Sequence, residues 1–380
     1  MATVTPATVV STKPSSPIPP VGNDRLLSLD ALRGFDMFWI IGGTGLVISL
    51  ARVFGFEDSV PWLRNQFSHP TWNGFAFIDL IFPLFVFLVG VAMPFSFGKH
   101  FDGGGSRGRL YWRICRRTVL LILLGIICNN GLLRLDLAEH RFCSVLGRIG
   151  LCYFFAALVM LHSSVRGRVA WIVFLLVGYW AAMMWVPVPN FGPGNLTPGA
   201  TLADYIDRSV LPGRLYVGVR DPEGLLATVP AIATTLIGVL AGQWLRQSGR
   251  SGHVKAAALL LAGLIGLALG HLWDRSFPIN KNLWSSSFVL WAGGLSLMLL
   301  GLFYLVIDVW GWKQWAFFFV VIGANAITIY VGQQWINFDA VGKLLFGHAP
   351  IPQSLLGNAG LAAKWFTLYL LYRQRIFLRL

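Results

Sequence analysis

About ten long apolar runs divide this chain of 380 residues, and they constrain its fold more than any other feature. The first follows Ser28 and continues to about Leu50, and the others lie near 74–97, 118–129, 144–162, 169–186, 225–245, 255–273, 284–307, 314–336 and 356–372. Most approach the roughly 20 residues that a helix needs to cross a bilayer. The run at 118–129 is short and is expected to begin near Tyr111, inside a basic segment. Hydrophobic residues make up 56% of the chain and charged residues only 12%, where a soluble domain carries about a quarter. The expected fold is therefore all-α, a polytopic transmembrane helix bundle of about ten spans whose core is the bundle itself.

The formal net charge is +14. In a soluble chain that excess would point to nucleic acid. Here it points to basic cytoplasmic loops, with no nucleic-acid partner. Lys and Arg are densest in one alternate set of connections, which includes Lys99, Arg107, Arg109, Arg113, Arg116 and Arg117. That asymmetry places both termini in the cytoplasm and His69 at the outer end of the second span. Residues 1–22 lack the charged start and apolar run of a signal peptide and read as a disordered cytoplasmic tail. Residues 23–380 read as one transmembrane domain. Within it, 187–223 is too polar for lipid and forms an outer loop or small cap. Cys115, Cys128, Cys143 and Cys152 have no metal-ligand spacing and read as packing residues, so no metal is expected.

Several polar residues interrupt the apolar pattern. The stretch HPTWNGFAFIDLIFPLF at 69–85 opens on His69 and carries Asp79 early in a span. Pro83, four residues on, cannot donate to the carbonyl of Asp79, which is expected to be left free. His69 can serve as a general base or an acyl-accepting nucleophile, or it can be an interfacial histidine bonded to a loop. Asp79 can bind substrate or orient a partner, or it can pair with an arginine such as Arg148. Ser28 can cap the first span, which continues with Asp30, Arg33 and Asp36 near one face.

Further along, Arg113, Arg116 and Arg117 suit phosphate groups, or anchor the chain to anionic lipid. Asn280, Lys281, Asn282 and Trp284 suit a sugar, or form an interfacial anchor. Asp221 and Glu223 suit an amine, or cap a helix. Asn325, Gln333 and Gln334 read as interhelical glue.

The blocks RLLSLDALRG (25–34), HPTWNG with DLIFPLFVFLVG (69–90), VLGRIG (145–150), YIDR (205–208), DPEGLLAT (221–228), INKNLWSSSFV (279–289) and GANAITIYVG (323–332) occur in this order. Together they resemble the heparan-α-glucosaminide N-acetyltransferase family of multispanning membrane enzymes. The resemblance implies transfer of acetyl from acetyl-CoA to the amine of a glucosamine-type acceptor. His69 matches the family's catalytic histidine, and Thr44 stands where the animal enzyme has an asparagine. The large luminal domain ahead of this region in the animal enzyme has no counterpart in these residues, which is the pattern of bacterial members in the inner membrane.

With His69 taken as catalytic on that resemblance, the residues around it complete the expected set: Asp79 as its partner, and Asn73 or the Gly74 N–H as oxyanion donor. Arg33, Arg113, Arg116 and Arg117 hold the phosphates of acetyl-CoA. Asn280, Lys281, Asn282, Trp284 and Glu223 bind an amino-sugar or glycan acceptor. Lipid is the obligate partner, and a homodimer is one expected assembly. Two other readings fit the same spans: a sugar or amino-sugar transporter without chemistry, and a polysaccharide O-acetylase.

Overall fold

The computed structural model describes residues 26–131, 136–347 and 352–377. The proposed tail at 1–22 lies outside them, as do the last residues, 378–380. Among the described residues the chain is helical, apart from isolated bridges joining Arg141 to Gly213 and Val188 to Gly192.

Seven described helices are long and apolar enough to cross a membrane: Leu27–Val53, Phe77–Gly98, Val145–His162, Val165–Trp185, Leu225–Arg246, Gly252–Asp274 and Ser286–Val309. That makes a multi-pass membrane protein, with fewer unambiguous spans than the ten read from the sequence. The other three runs differ for physical reasons. Arg107–Asn130 is long but arginine-rich over its first half. The 314–336 run breaks at Asn325 (φ −130°, ψ 36°) into Phe317–Ala324 and Ala326–Gly332. The last, Ala359–Arg373, has 15 residues.

Serines start many of the long helices. The hydroxyls of Ser106, Ser144, Ser164, Ser251 and Ser285 each accept the backbone N–H three residues on, as N-caps do. Ser28 does not follow this pattern. It lies inside the first helix, and its own N–H donates to Asp308 Oδ2 at 3.2 Å. A carboxylate from the end of another span thus does the capping that Ser28 was expected to do. The first span is also interrupted, by a π turn at Trp39–Gly43 in which Gly42 takes φ 132°.

Small residues let the spans approach closely. A Cβ on Gly90 would stand 2.0 Å from the carbonyl oxygen of Thr235, and one on Gly238 would stand 2.1 Å from that of Phe87. Gly34 and Gly323 bring Leu27–Phe38 and Phe317–Ala324 together in the same way. In lipid, such backbone approach replaces the hydrophobic effect as the main source of helix association.

The segment 187–223 is folded. Its helix Leu202–Val210 begins at Thr201, whose hydroxyl accepts the Asp204 N–H. It packs on a separate cluster of Tyr179, Met183, Val188, Leu202, Ala203, Phe277 and Leu283. This small cap sits on the face of the bundle that carries His69, because Trp72 of the His69 loop donates to Leu196 O at 2.8 Å.

Candidate active site

The second span begins with one turn of 3-10 helix, Phe77–Leu80, before the α-helix Ile81–Asp102. Pro83 is therefore the third residue of the α-helix. Its missing N–H falls among the first-turn donors that have no intrahelical partner anyway. The continuous helix through Asp79 expected from the sequence is replaced by a tight turn that fixes its carboxylate. Asp79 Oδ2 accepts the Ala76 N–H at 3.0 Å, and Oδ1 faces the loop above.

Two cations or potential cations share that Oδ1. His69 Nδ1 lies 2.6 Å away and Lys281 Nζ lies 3.3 Å away. Asp79 is 1% exposed and the His69 side chain 58% exposed, so a buried carboxylate holds an accessible imidazole. With Nδ1–H donating to Asp79, the lone pair is on Nε2, the tautomer that a base or nucleophile requires. Lys281 Nζ also stands 3.3 Å from Nδ1 and 3.4 Å from Nε2. Burial pushes the Lys281 ammonium below the ordinary lysine range, against the opposing pull of Asp79. Asp79 does not pair with Arg148. That guanidinium is buried 4.9 Å over the Trp284 ring and reaches Gly224 O at 3.3 Å.

These groups face a cavity of about 310 Å³. His69, Lys281 and Glu223 form its polar rim, and Met37, Ile40, Phe82, Phe85, Ile327 and Tyr330 lie among its apolar walls. Glu223 is held from behind by Arg141. The Arg141 guanidinium donates to Asp221 from Nε and Nη2, both at 2.7 Å, and from Nη2 to Glu223. Burial disfavours that charge, but the two carboxylates outweigh it and hold Arg141 above its ordinary range.

The remaining expected residues divide. Asn73 Oδ1 accepts from Asn280 Nδ2 at 3.0 Å, which ties the His69 and Lys281 loops together. Asn280 is fully buried, and its Oδ1 caps Leu283 N. Trp284 is 1% exposed, and its Nε1 donates to Thr234. The pair expected as a sugar platform is thus structural, with no face open to a ligand. Asn282 accepts from Arg220. The Gly74 N–H, expected as an oxyanion donor, is taken by Ile279 O at 2.8 Å. Arg33 pairs with Asp30 at 3.5 Å on the first helix.

Arg113 and Arg116 are exposed on Arg107–Asn130. Arg117 lies 4.7 Å over the ring of Tyr153. Tyr153 is eight residues beyond Val145 in the cavity wall, or about 12 Å of helix rise. Sequence reasoning placed Lys281 with the acceptor and missed its contact with Asp79 and His69. It missed Arg141 entirely, which only the neighbouring DPEG carboxylates could have suggested.

Residues 25–191 match the family model described as a domain of unknown function, DUF5009. The chain is 30% identical to the human heparan-alpha-glucosaminide N-acetyltransferase over 95% of its length, and 29% identical to the mouse protein over 93%. It spans 60% and 61% of those relatives' lengths. The similarity read from seven short blocks thus extends along nearly the whole chain.

Proposed function

We propose that the protein is a membrane acetyltransferase that moves acetyl from acetyl-CoA to the amine of a glucosamine-type sugar. The observation that carries this reading is the His69–Asp79 pair at the cavity mouth, with Lys281 and Glu223 on the same rim, in a chain similar to two N-acetyltransferases.

The acceptor amine arrives largely as an ammonium. Glu223 binds it, and His69 Nε2 removes one proton while Asp79 holds Nδ1–H in place, an effect typically worth about 10²–10⁴ in rate. The freed nitrogen attacks the thioester carbonyl. The C–N bond forms, the C–S bond breaks, and the CoA thiolate leaves with the electron pair and takes up the proton held by His69; the second proton on the new amide nitrogen is then lost to the freed Nε2 and on to water. The oxyanion formed on the way needs donors. Asn73 Nδ2 and the Lys281 ammonium are the candidates, since the Gly74 N–H is already used. Alternatively, His69 Nε2 attacks acetyl-CoA first, the C–S bond breaks and CoA leaves as the thiolate, and the acetyl group passes from Nε2 to the deprotonated amine in a second step, which frees the imidazole.

Acetyl-CoA would approach from the cytoplasmic face, with its phosphates near Arg113, Arg116 and Arg117 and its pantetheine arm running along Val145–Tyr153. The acceptor would enter from the opposite face, under the cap. In this reading the protein lies in the inner membrane of a bacterium with both termini inside.

Radiolabelled acetyl-CoA tests the reading and separates the two routes. Incubated alone with the purified protein, it leaves label on wild type but not on His69→Ala if the histidine is acetylated. It leaves none on either if transfer is direct, and product then forms only when glucosamine is added. No labelled protein and no product under any condition contradicts both routes.

A further inference from the structure

Among the described residues, Tyr330 brings the only hydroxyl to the cavity of His69. Its place there follows from the break in the 314–336 run. Asn325 interrupts the helix, and its Nδ2 donates to Ile376 O at 3.0 Å. The helix resumes at Ala326, and Ile327 and Tyr330, three residues apart, then share the face that meets the cavity. An interrupted helix at membrane depth is tolerated where it is buried in protein or lines a cavity. Here the interruption sets a phenol in the cavity wall.

The other polar groups on that wall are already committed. His69 Nδ1 is held by Asp79, Lys281 Nζ stands beside the same carboxylate, and Glu223 is bonded by Arg141. Tyr330 is half-buried, and its O–H meets no acceptor among the described residues. The charges of Glu223 and Arg141 are near enough to act on it. A phenol is a neutral donor, so it sits among apolar walls at modest cost. Its hydrogen bond strengthens as charge develops on the acceptor. The wall is therefore suited to an oxygen that is neutral on arrival and becomes negative during reaction. A ligand that arrives as a carboxylate fits less well, because Glu223 on the same cavity would repel it.

Acetyl transfer generates such an oxygen. With the amine held at Glu223 and deprotonated by His69, the thioester carbonyl has to lie between those two groups, in the cavity that Tyr330 also lines. We infer that Tyr330 is a further catalytic residue, whose O–H donates a hydrogen bond to the thioester oxygen as it becomes an oxyanion. This role presupposes the acetyltransferase reading. As the nitrogen lone pair adds to the carbonyl carbon, the C=O π pair moves onto oxygen, and the phenol stabilises it without giving up its proton. As the C–S bond breaks, that pair re-forms C=O and the thiolate leaves with the C–S pair. The same step occurs whether the attacking nitrogen is the amine or the imidazole, so Tyr330 serves either route beside Asn73 Nδ2 and the Lys281 ammonium.

Two replacements of Tyr330 test the role in purified protein with acetyl-CoA and glucosamine. Tyr330→Phe keeps the ring in the wall and removes only the hydroxyl. Its kcat should fall at least about a hundredfold, the low end for losing one oxyanion donor. KM for both substrates should stay within about twofold, since the bond gains strength only after attack. Incorporation of 3-fluorotyrosine in place of Tyr330 keeps the donor and should restore most of the rate. Wild type and both replacements should melt together. A Tyr330→Phe protein with near wild-type kcat would overturn the role. So would a loss of rate that a lower melting temperature accompanies and 3-fluorotyrosine does not restore, which would leave Tyr330 a wall residue. A wild-type protein that binds acetyl-CoA and transfers nothing would instead sink the acetyltransferase reading, and this role with it.

Discussion

The guanidinium of Arg220 lies 4.8 Å over the ring of Trp72. Its Nη1 also donates to Asn282 Oδ1 at 3.1 Å. Trp72 is three residues from His69, and Asn282 adjoins Lys281, so one cap residue clamps both loops that reach Asp79. Arg220→Ala should lower kcat for acetyl transfer about tenfold, with KM for acetyl-CoA unchanged and the melting temperature nearly so. Arg220→Lys should restore part of the loss, since it keeps the cation over the ring but not the fork. Equal falls in activity and stability would reduce Arg220 to a structural role.

The cap also carries a pH dependence. Burial pushes Asp207 up to about 6, with Asp221 adding to the rise, while the Leu225 N–H, 2.9 Å from Oδ1, opposes it. The folded state therefore binds this proton more tightly than the unfolded state, whose value is 3.8. The stability that the protonated group contributes is full below 3.8 and is lost as pH rises through about 6. Asp207→Asn keeps the acceptor for Leu225 and removes the charge. It should be more stable than wild type at pH 7.5, by up to about 3 kcal/mol, and the difference should close toward pH 4.5. Thermal unfolding in detergent at both pH values checks this, and a gap that is constant or reversed would contradict it.

Much of this arrangement was legible in the sequence, and the failures have a common cause. His69, Asp79 and Glu223 stood out because a polar group beside an apolar run is costly and needs a reason. Trp284 and Asn280 stood out for the same reason, yet they are buried. Their partners, Thr234 and Arg148 from other helices and Asn73 from the His69 loop, are distant in sequence, and no local pattern announces them. Lys281 and His69 are 212 residues apart, so their meeting at Asp79 is a product of the bundle. The span count exceeds the seven long apolar helices in part because Asn325 breaks an apolar run whose composition reads as continuous.

Close packing gives a prediction that does not depend on function. Gly90→Ala would set a Cβ 2.0 Å from the backbone oxygen of Thr235, and backbone cannot rotate away. Overpacking of this kind costs about 1–3 kcal/mol. The variant should melt several degrees lower, while Gly108→Ala, whose Cβ meets nothing within 4 Å, should melt like wild type. Equal melting of the two variants would contradict the packing of Ile81–Asp102 on Leu225–Arg246.

The donor side is tested through phosphate. If Arg116 and Arg117 hold CoA phosphates, changing both to Gln should raise KM for acetyl-CoA at least about tenfold and leave the acceptor's KM alone. The loss should be smaller with acetyl-dephospho-CoA if the ribose phosphate is the contact. Unchanged KM for both donors would leave these arginines to anionic lipid.

The central claim is that His69, oriented by Asp79, performs the transfer. Its most direct test is the rate of acetyl transfer from acetyl-CoA to glucosamine by purified His69→Ala, measured beside its melting temperature. The side chain is 58% exposed, so the substitution should cost little stability. Transfer should fall by at least about a hundredfold, the low end for losing a positioned proton acceptor. A His69→Ala protein that melts like wild type and still transfers acetyl at a near wild-type rate would contradict the account.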